Sequence, residues 1–267
     1  MPNAIYAATA PSGLAVRIER VRYDGLALRV WRMTLDGAPT THEQGRVDTV
    51  LVHGLGVSSR YFEKVAVRLA ASGPVWLLDL PGFAGVPQPD RPLGIDDYAR
   101  LIRRWVRGQG LVGPLLVGHS MGSQIVVEAL ADEPDLASGA VLIGPPVNVL
   151  ERSPVRQAMR LAQSSVFESS QTRRIAMAGY VHTGPRWFGR VLPRMLVYPI
   201  EERIARVSVP LLIIRGEHDS VAPRDWVERL AATAPDARWV EVPGAAHAVI
   251  YDHRDEVVEH VLRHARR

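Results

Sequence analysis

A chain of 267 residues, 47% of them hydrophobic, is long enough to bury a large core, and α/β chains of this length commonly form one unit. It has no cysteine, which excludes disulfides and cysteine-ligated metals and fits a reducing, cytoplasmic setting. The formal charge of +4 is carried almost wholly by arginine, with Lys64 the single lysine; arginine is spread along the chain rather than clustered with aromatics, so a nucleic-acid partner is not expected.

The N-terminal stretch MPNAIYAATAPSG lacks a basic segment followed by an apolar one, so no signal peptide is expected. No apolar run reaches the ~18 residues a membrane helix needs. VRIERVRY and LALRVWRM within 16–35 alternate partly in polarity around Asp24-Gly25, which predicts a hairpin. A polar loop follows. TVLVHG (49–54) then reads as a buried parallel strand, and 59–71 as a helix with Phe62, Val65, Ala66 and Leu69 on one face.

The alternation continues. Strands are predicted at 74–82, 114–120 and 140–146, with helices at 95–107 and 121–131. Asp96 and Asp97 suit the first turn of the helix they open. Between 147 and 206 no buried strand is expected; Val155, Met159, Ala162 and Val166 recur at helical spacing. The alternation resumes with a strand at 209–219, a helix near 224–233, a strand at 237–242 and a last helix after His247. The fold class is therefore α/β, a mostly parallel sheet covered by helices on both faces. Residues 1–146 and 207–267 form its core, and 147–206 a helical insertion.

Gly118-His119-Ser120-Met121-Gly122 stands between an apolar strand and a helix. That context turns G-x-S-x-G into a nucleophile elbow: the glycines permit a sharp turn and the serine sits at a helix N-terminus. A serine needs a base, and His247 lies in a loop at a strand's C-terminal end, facing the same rim. His253, His260 and His264 fall in or near the final helix and are expected to be exposed. Asp219, closing the strand VPLLIIRGEHD, is the carboxylate expected to orient His247; Asp225 and Asp252 fall within helices. The backbone N–H groups of Leu55, in His53-Gly54-Leu55-Gly56, and of Met121 are the expected oxyanion donors. His53 is expected to brace its loop. No histidine–carboxylate cluster has metal-ligand spacing, so neither metal nor cofactor is expected.

These motifs, with Asp79-Leu80-Pro81-Gly82-Phe83-Ala84-Gly85, Gly216-Glu217-His218-Asp219 and Gly244-Ala245-Ala246-His247, resemble the capped α/β-hydrolase superfamily over nearly the whole chain. The resemblance implies Ser120, Asp219 and His247 as a triad, a cap made by 147–206, and acyl-bond hydrolysis of the esterase and lipase type. Ser123 stands where many relatives have a third glycine, and Phe83-Ala84-Gly85 replaces a more usual Gly-x-Gly stretch. A carbon–carbon bond hydrolase of aromatic degradation is an alternative, although such relatives usually carry tryptophan where Ala248 follows His247. A non-catalytic receptor or scaffold on the same fold is another. Serine at the elbow excludes the dehalogenase and epoxide hydrolase types, which use aspartate there.

The insertion holds ten arginines against four glutamates, a net +6, while the rest of the chain is −2. It also holds Met159, Phe167, Met177, Tyr180, Trp187, Phe188 and Met195 as a candidate apolar lining. The expected partner is a small acyl substrate; the basic excess suits a hydrophobic one bearing an anionic group, the alternative being that the arginines form solvated helix faces with no substrate role.

Overall fold

The computed structural model describes residues 11–39 and 46–266. The reading of the N-terminal leader rests largely on 1–10, and the middle of the polar loop is 40–45; both lie outside the described residues.

The chain opens with β1 (Leu14–Tyr23) and β2 (Leu26–Leu35), paired antiparallel. Asp24 and Gly25 between them both have positive φ, 51° and 78°. Two consecutive left-handed residues match the twist of a hairpin, which is why an Asp-Gly pair serves there. Next come β3 (Thr49–Val52), α1 (Glu63–Leu69), β4 (Val75–Asp79), α2 (Ile95–Gly108), β5 (Leu115–His119), α3 (Met121–Asp132) and β6 (Gly139–Ile143). Four helices follow: α4 (Pro154–Ser165), α5 (Ser170–Thr183), α6 (Pro185–Val197) and the short α7 (Ile200–Arg203). The chain closes with β7 (Leu211–Gly216), α8 (Arg224–Thr233), β8 (Ala237–Val242), the short α9 (Val249–Asp252) and α10 (Arg254–Ala265).

One eight-stranded sheet has the order β1-β2-β4-β3-β5-β6-β7-β8. β2 joins β4 antiparallel, and every pair from β4 to β8 is parallel. β3 to β7 are buried at every position, as strands covered on both faces must be. Successive side chains feed opposite cores. Val50 and Val52 pack with Tyr98, Trp105, Ile125 and Trp226 of α2, α3 and α8. Leu51 packs on the other face with Phe62, Val65, Leu69, Val257 and Val261.

From β3 the chain goes to β4 on one side and then to β5 on the other. That reversal places the loops after β3 and β5 side by side at the strands' C-terminal ends, the crevice where open α/β sheets hold their sites. Those loops carry His53–Gly56 and Ser120.

The insertion is anchored to α3. Arg203 Nε donates to Glu128 Oε2 at 2.7 Å, and the Tyr198 hydroxyl donates to the same oxygen at 2.8 Å. Gln124 Nε2 donates to the Met195 carbonyl at 3.1 Å. Two local expectations are corrected. β7 ends at Gly216, so Asp219 lies beyond the strand in a turn closed by its N–H donating to the Gly216 carbonyl at 3.0 Å. His264 is buried, because its Nε2 donates to the Pro210 carbonyl at 3.2 Å. No described helix is long and apolar enough to cross a membrane.

Candidate active site

Ser120 stands between β5 and α3 at φ 54° and ψ −124°. A non-glycine residue there is strained, as a side chain lifted above the sheet on a tight strand-to-helix turn must be. The flanking glycines have a steric reason. A Cβ on Gly118 would lie 2.3 Å from the Gly122 carbonyl oxygen, and one on Gly122 would lie 2.1 Å from the Val52 oxygen. Ser123, at the third-glycine position, is accommodated by its hydroxyl, which donates to the Gly118 carbonyl at 2.9 Å. Met121 is the first residue of α3, so its N–H has no acceptor one turn back within the helix.

The β3 loop lies against this turn: a Cβ on Gly54 would approach the Ser120 Cβ to 2.9 Å. The neighbouring Leu55 is buried in the same loop. His53 braces it. Its Nδ1–H donates to the Gly54 carbonyl at 2.8 Å, and its Nε2 accepts from the Leu80 N–H at 3.1 Å. Burial lowers the pKa of His53, against the Asp79 charge and the Gly54 bond that raise it. The adjoining Phe83-Ala84-Gly85 turn holds Ala84 left-handed, φ 53°; Arg29 Nη2 donates to the Ala84 carbonyl at 2.8 Å.

His247 and Asp219 come together from the loops after β8 and β7. His247 Nδ1–H donates to the two Asp219 oxygens at 3.0 and 3.1 Å. Asp219 Oδ1 also accepts from the N–H groups of Val221 at 2.9 Å and Ala222 at 3.0 Å. Arg215 steadies the turn, donating to the Ala222 carbonyl at 2.9 Å and the Asp219 carbonyl at 3.2 Å. Gly144 closes over the pair: a Cβ there would lie 2.9 Å from Asp219 Oδ2 and 3.0 Å from His247 Nδ1. His119, beside Ser120, ties the elbow to this loop by donating from Nε2 to the His247 carbonyl at 3.0 Å.

Burial alone would lower the pKa of His247; the Asp219 carboxylate, its hydrogen bond and the charge of Glu168 outweigh that and hold it above the ordinary value. Burial would raise Asp219, yet His247 and the Ala222 N–H hold it below the usual carboxylate range. His119 is pushed down to about 3 by burial and by His247, so it stays neutral. Two adjacent histidines thus differ: one is polarised by a carboxylate, the other is a fixed neutral donor.

The insertion reaches this site through two groups that the sequence does not single out, Ser164 and Glu168, and through the expected rings of Tyr180 and Phe188. The Ser164 hydroxyl accepts from the His247 N–H at 2.9 Å and donates to the His218 carbonyl at 3.3 Å. Glu168 Oε1 accepts from the Ala248 N–H at 3.2 Å. Burial raises the Glu168 pKa, with Asp252 and Asp219 adding to the rise and His247 opposing it. Asp252 accepts from the Ser169 N–H at 3.1 Å, the Ser169 hydroxyl at 2.8 Å and the Thr172 hydroxyl at 2.7 Å. Tyr180 and Phe188 cover the β3 loop, since a Cβ on Gly56 would meet their rings at 2.3 and 3.3 Å. Trp187 and Met195 are buried, but Met159, Phe167 and Met177 are exposed and do not form a lining.

The model of the alpha/beta hydrolase family matches residues 49–260, from β3 into the last helix. The chain belongs to the alpha/beta hydrolase family. An uncharacterized protein of Mycobacterium tuberculosis is 32% identical to this chain over 204 residues, 74% of the chain and 56% of the relative. The chain therefore spans little more than half the length of that relative. A pimeloyl-[acyl-carrier protein] methyl ester esterase of Pectobacterium atrosepticum is 25% identical over 249 residues, 84% of this chain and 96% of the esterase. In fold, the chain resembles the esterase of Exiguobacterium antarcticum, with a TM-score of 0.77 at 17% identity over 94% of this chain and 98% of the other.

Proposed function

We propose that this alpha/beta hydrolase cleaves carboxylic esters through a covalent acyl-enzyme on Ser120. The observation that carries the reading is the buried His247–Asp219 pair, 3.0 Å apart, with its loop tied to the strained elbow that presents Ser120. His247 Nε2 takes the hydroxyl proton as Ser120 Oγ attacks the ester carbonyl. Asp219 keeps the Nδ1 proton in place and stabilises the imidazolium. The Leu55 and Met121 N–H groups hold the oxyanion. The imidazolium then protonates the departing alcohol, and a water activated by His247 releases the acid. The helices of 147–206 act as a cap. Tyr180 and Phe188, set over the β3 loop, favour an apolar acyl group.

The experiment is turnover of a panel of alkyl esters, thioesters and lactones by purified protein, run beside Ser120→Ala. Ester hydrolysis that the variant loses supports the reading; hydrolysis retained by the variant removes Ser120 from it.

A further inference from the structure

Eight of the ten large apolar side chains exposed among the described residues fall between 150 and 197, within the insertion. The pattern is clearest on α4. Val155, Met159, Ala162 and Val166, spaced to share one helix face, are all exposed, Val155 by 68%, Met159 by 57% and Val166 by 71%. The opposite face is the polar one, and it is turned inward. Gln157 Nε2 donates to the Glu151 carbonyl at 3.0 Å, Arg160 Nε donates to the Glu151 carboxylate at 2.9 Å, and Ser164 binds the His247 N–H. The helix is thus inverted relative to one that packs its apolar stripe on a core. On α5, Met177 and Val181, one turn apart, repeat the exposure at 61% and 71%.

We infer that this face of the insertion docks on a lipid bilayer carrying anionic headgroups. Charge supports that occupant: ten arginines stand against four glutamates between 147 and 206. Three of the ten are ion-paired, Arg160 with Glu151, Arg152 with Glu201 and Arg203 with Glu128, which leaves seven against Glu168 and Glu202. Exposed Arg156 lies beside Val155, and exposed Arg174 lies three residues before Met177. Apolar side chains flanked by arginine are what an interfacial helix presents to lipid, the methyl groups entering the acyl boundary and the guanidinium groups meeting phosphates. A second copy of the chain is disfavoured, because it would bring two surfaces of the same sign together. The stripe is also narrow. Twelve residues rise about 18 Å, and a width of ~10 Å gives roughly 200 Å², against the ~800 Å² per partner of a standard protein interface. A bilayer needs no matching shape.

The test is co-sedimentation of the full chain with vesicles of phosphatidylcholine alone and of phosphatidylcholine with roughly one-third phosphatidylglycerol. Binding is read by sedimentation, so it stands or falls independently of the ester chemistry. The expected result is at least about tenfold stronger binding to the anionic vesicles, weakened as salt rises from about 0.1 to about 0.5 M. A Val155→Ser/Met159→Ser/Val166→Ser variant, altered only at exposed positions, is expected to lose about tenfold in binding, and Arg156→Gln/Arg174→Gln a similar factor. Both are expected to keep the wild-type circular dichroism spectrum and melting temperature. No binding to anionic vesicles overturns the inference, and so does a triple-serine variant that binds as well as wild type. A dimer seen by light scattering and abolished by the serine variant assigns the stripe to a second copy instead.

Discussion

The Ser164 hydroxyl, on α4 of the insertion, accepts a hydrogen bond at 2.9 Å from the backbone N–H of His247. The same oxygen donates to the His218 carbonyl, so one side chain joins the two loops that carry the proposed base and its carboxylate. Removing it leaves a buried N–H without a partner, a loss of about 1–3 kcal/mol. Small displacements of a reacting group are costly in rate, up to ~10²-fold for 1 Å. Ser164→Ala is therefore expected to lower kcat by about tenfold or more with a smaller change in KM, while the fold persists. Steady-state kinetics check this. An unchanged kcat beside a lowered melting temperature would make the contact structural only.

Asp219 is the partner of His247 Nδ1 and is fully engaged by Val221 and Ala222. Asp219→Asn keeps the shape and removes the charge, so the imidazole no longer has a fixed tautomer. The expected loss is about 10³–10⁴-fold in kcat. A loss below about tenfold points to another acid.

The pH dependence follows from the charges around His247. Asp219 and Glu168 face it with carboxylates, and His119 faces it as a neutral donor. Because the two carboxylates raise its pKa, the fall of kcat/KM in acid is expected at a pH above the ~6.5 of an unperturbed histidine. Glu168→Gln can still accept from the Ala248 N–H but no longer favours the imidazolium. Its acid limb is expected at lower pH than wild type. A limb that stays in place in an active Glu168→Gln enzyme contradicts the role given to that charge.

Ala84 offers a test of the turn after β4. It holds φ 53°, a conformation that costs an L-residue about 1–2 kcal/mol, whereas glycine adopts it freely and loses roughly 0.5–1 kcal/mol through the unfolded chain. Ala84→Gly is expected to be stabilising by up to about 1 kcal/mol, a rise in melting temperature of a few degrees. A fall of similar size would show that the alanine methyl contributes packing there.

Much of the fold was legible in the chain because the buried strands are short apolar runs between glycines, and because Asp24-Gly25 has few structural uses besides a hairpin. The positions of Ser120 and His247 on one rim followed from the strand–loop–helix alternation. The direction in which α4 faces did not. Its 155–159–162–166 period specifies a stripe but not the side that is buried, and the side was decided by a partner far away in the chain, His247 for Ser164, with Glu151 just before the helix holding Arg160. His264 misled for a similar reason, since its acceptor is the carbonyl of Pro210, far away in the chain. The basic excess of the insertion is legible in the sequence as a charge count, but its placement is not: Arg156, Arg173 and Arg174 are exposed, and Glu168 lies close to His247.

A nucleophilic Ser120 is tested by covalent labelling with a fluorophosphonate followed by peptide mass spectrometry. Wild-type protein is expected to take up one phosphonate, on the peptide containing Ser120, with the rate falling in acid as His247 is protonated. Ser120→Ala is expected to take up none. Folded wild-type protein that stays unlabelled while it hydrolyses an ester, or equal labelling of Ser120→Ala, would contradict the account.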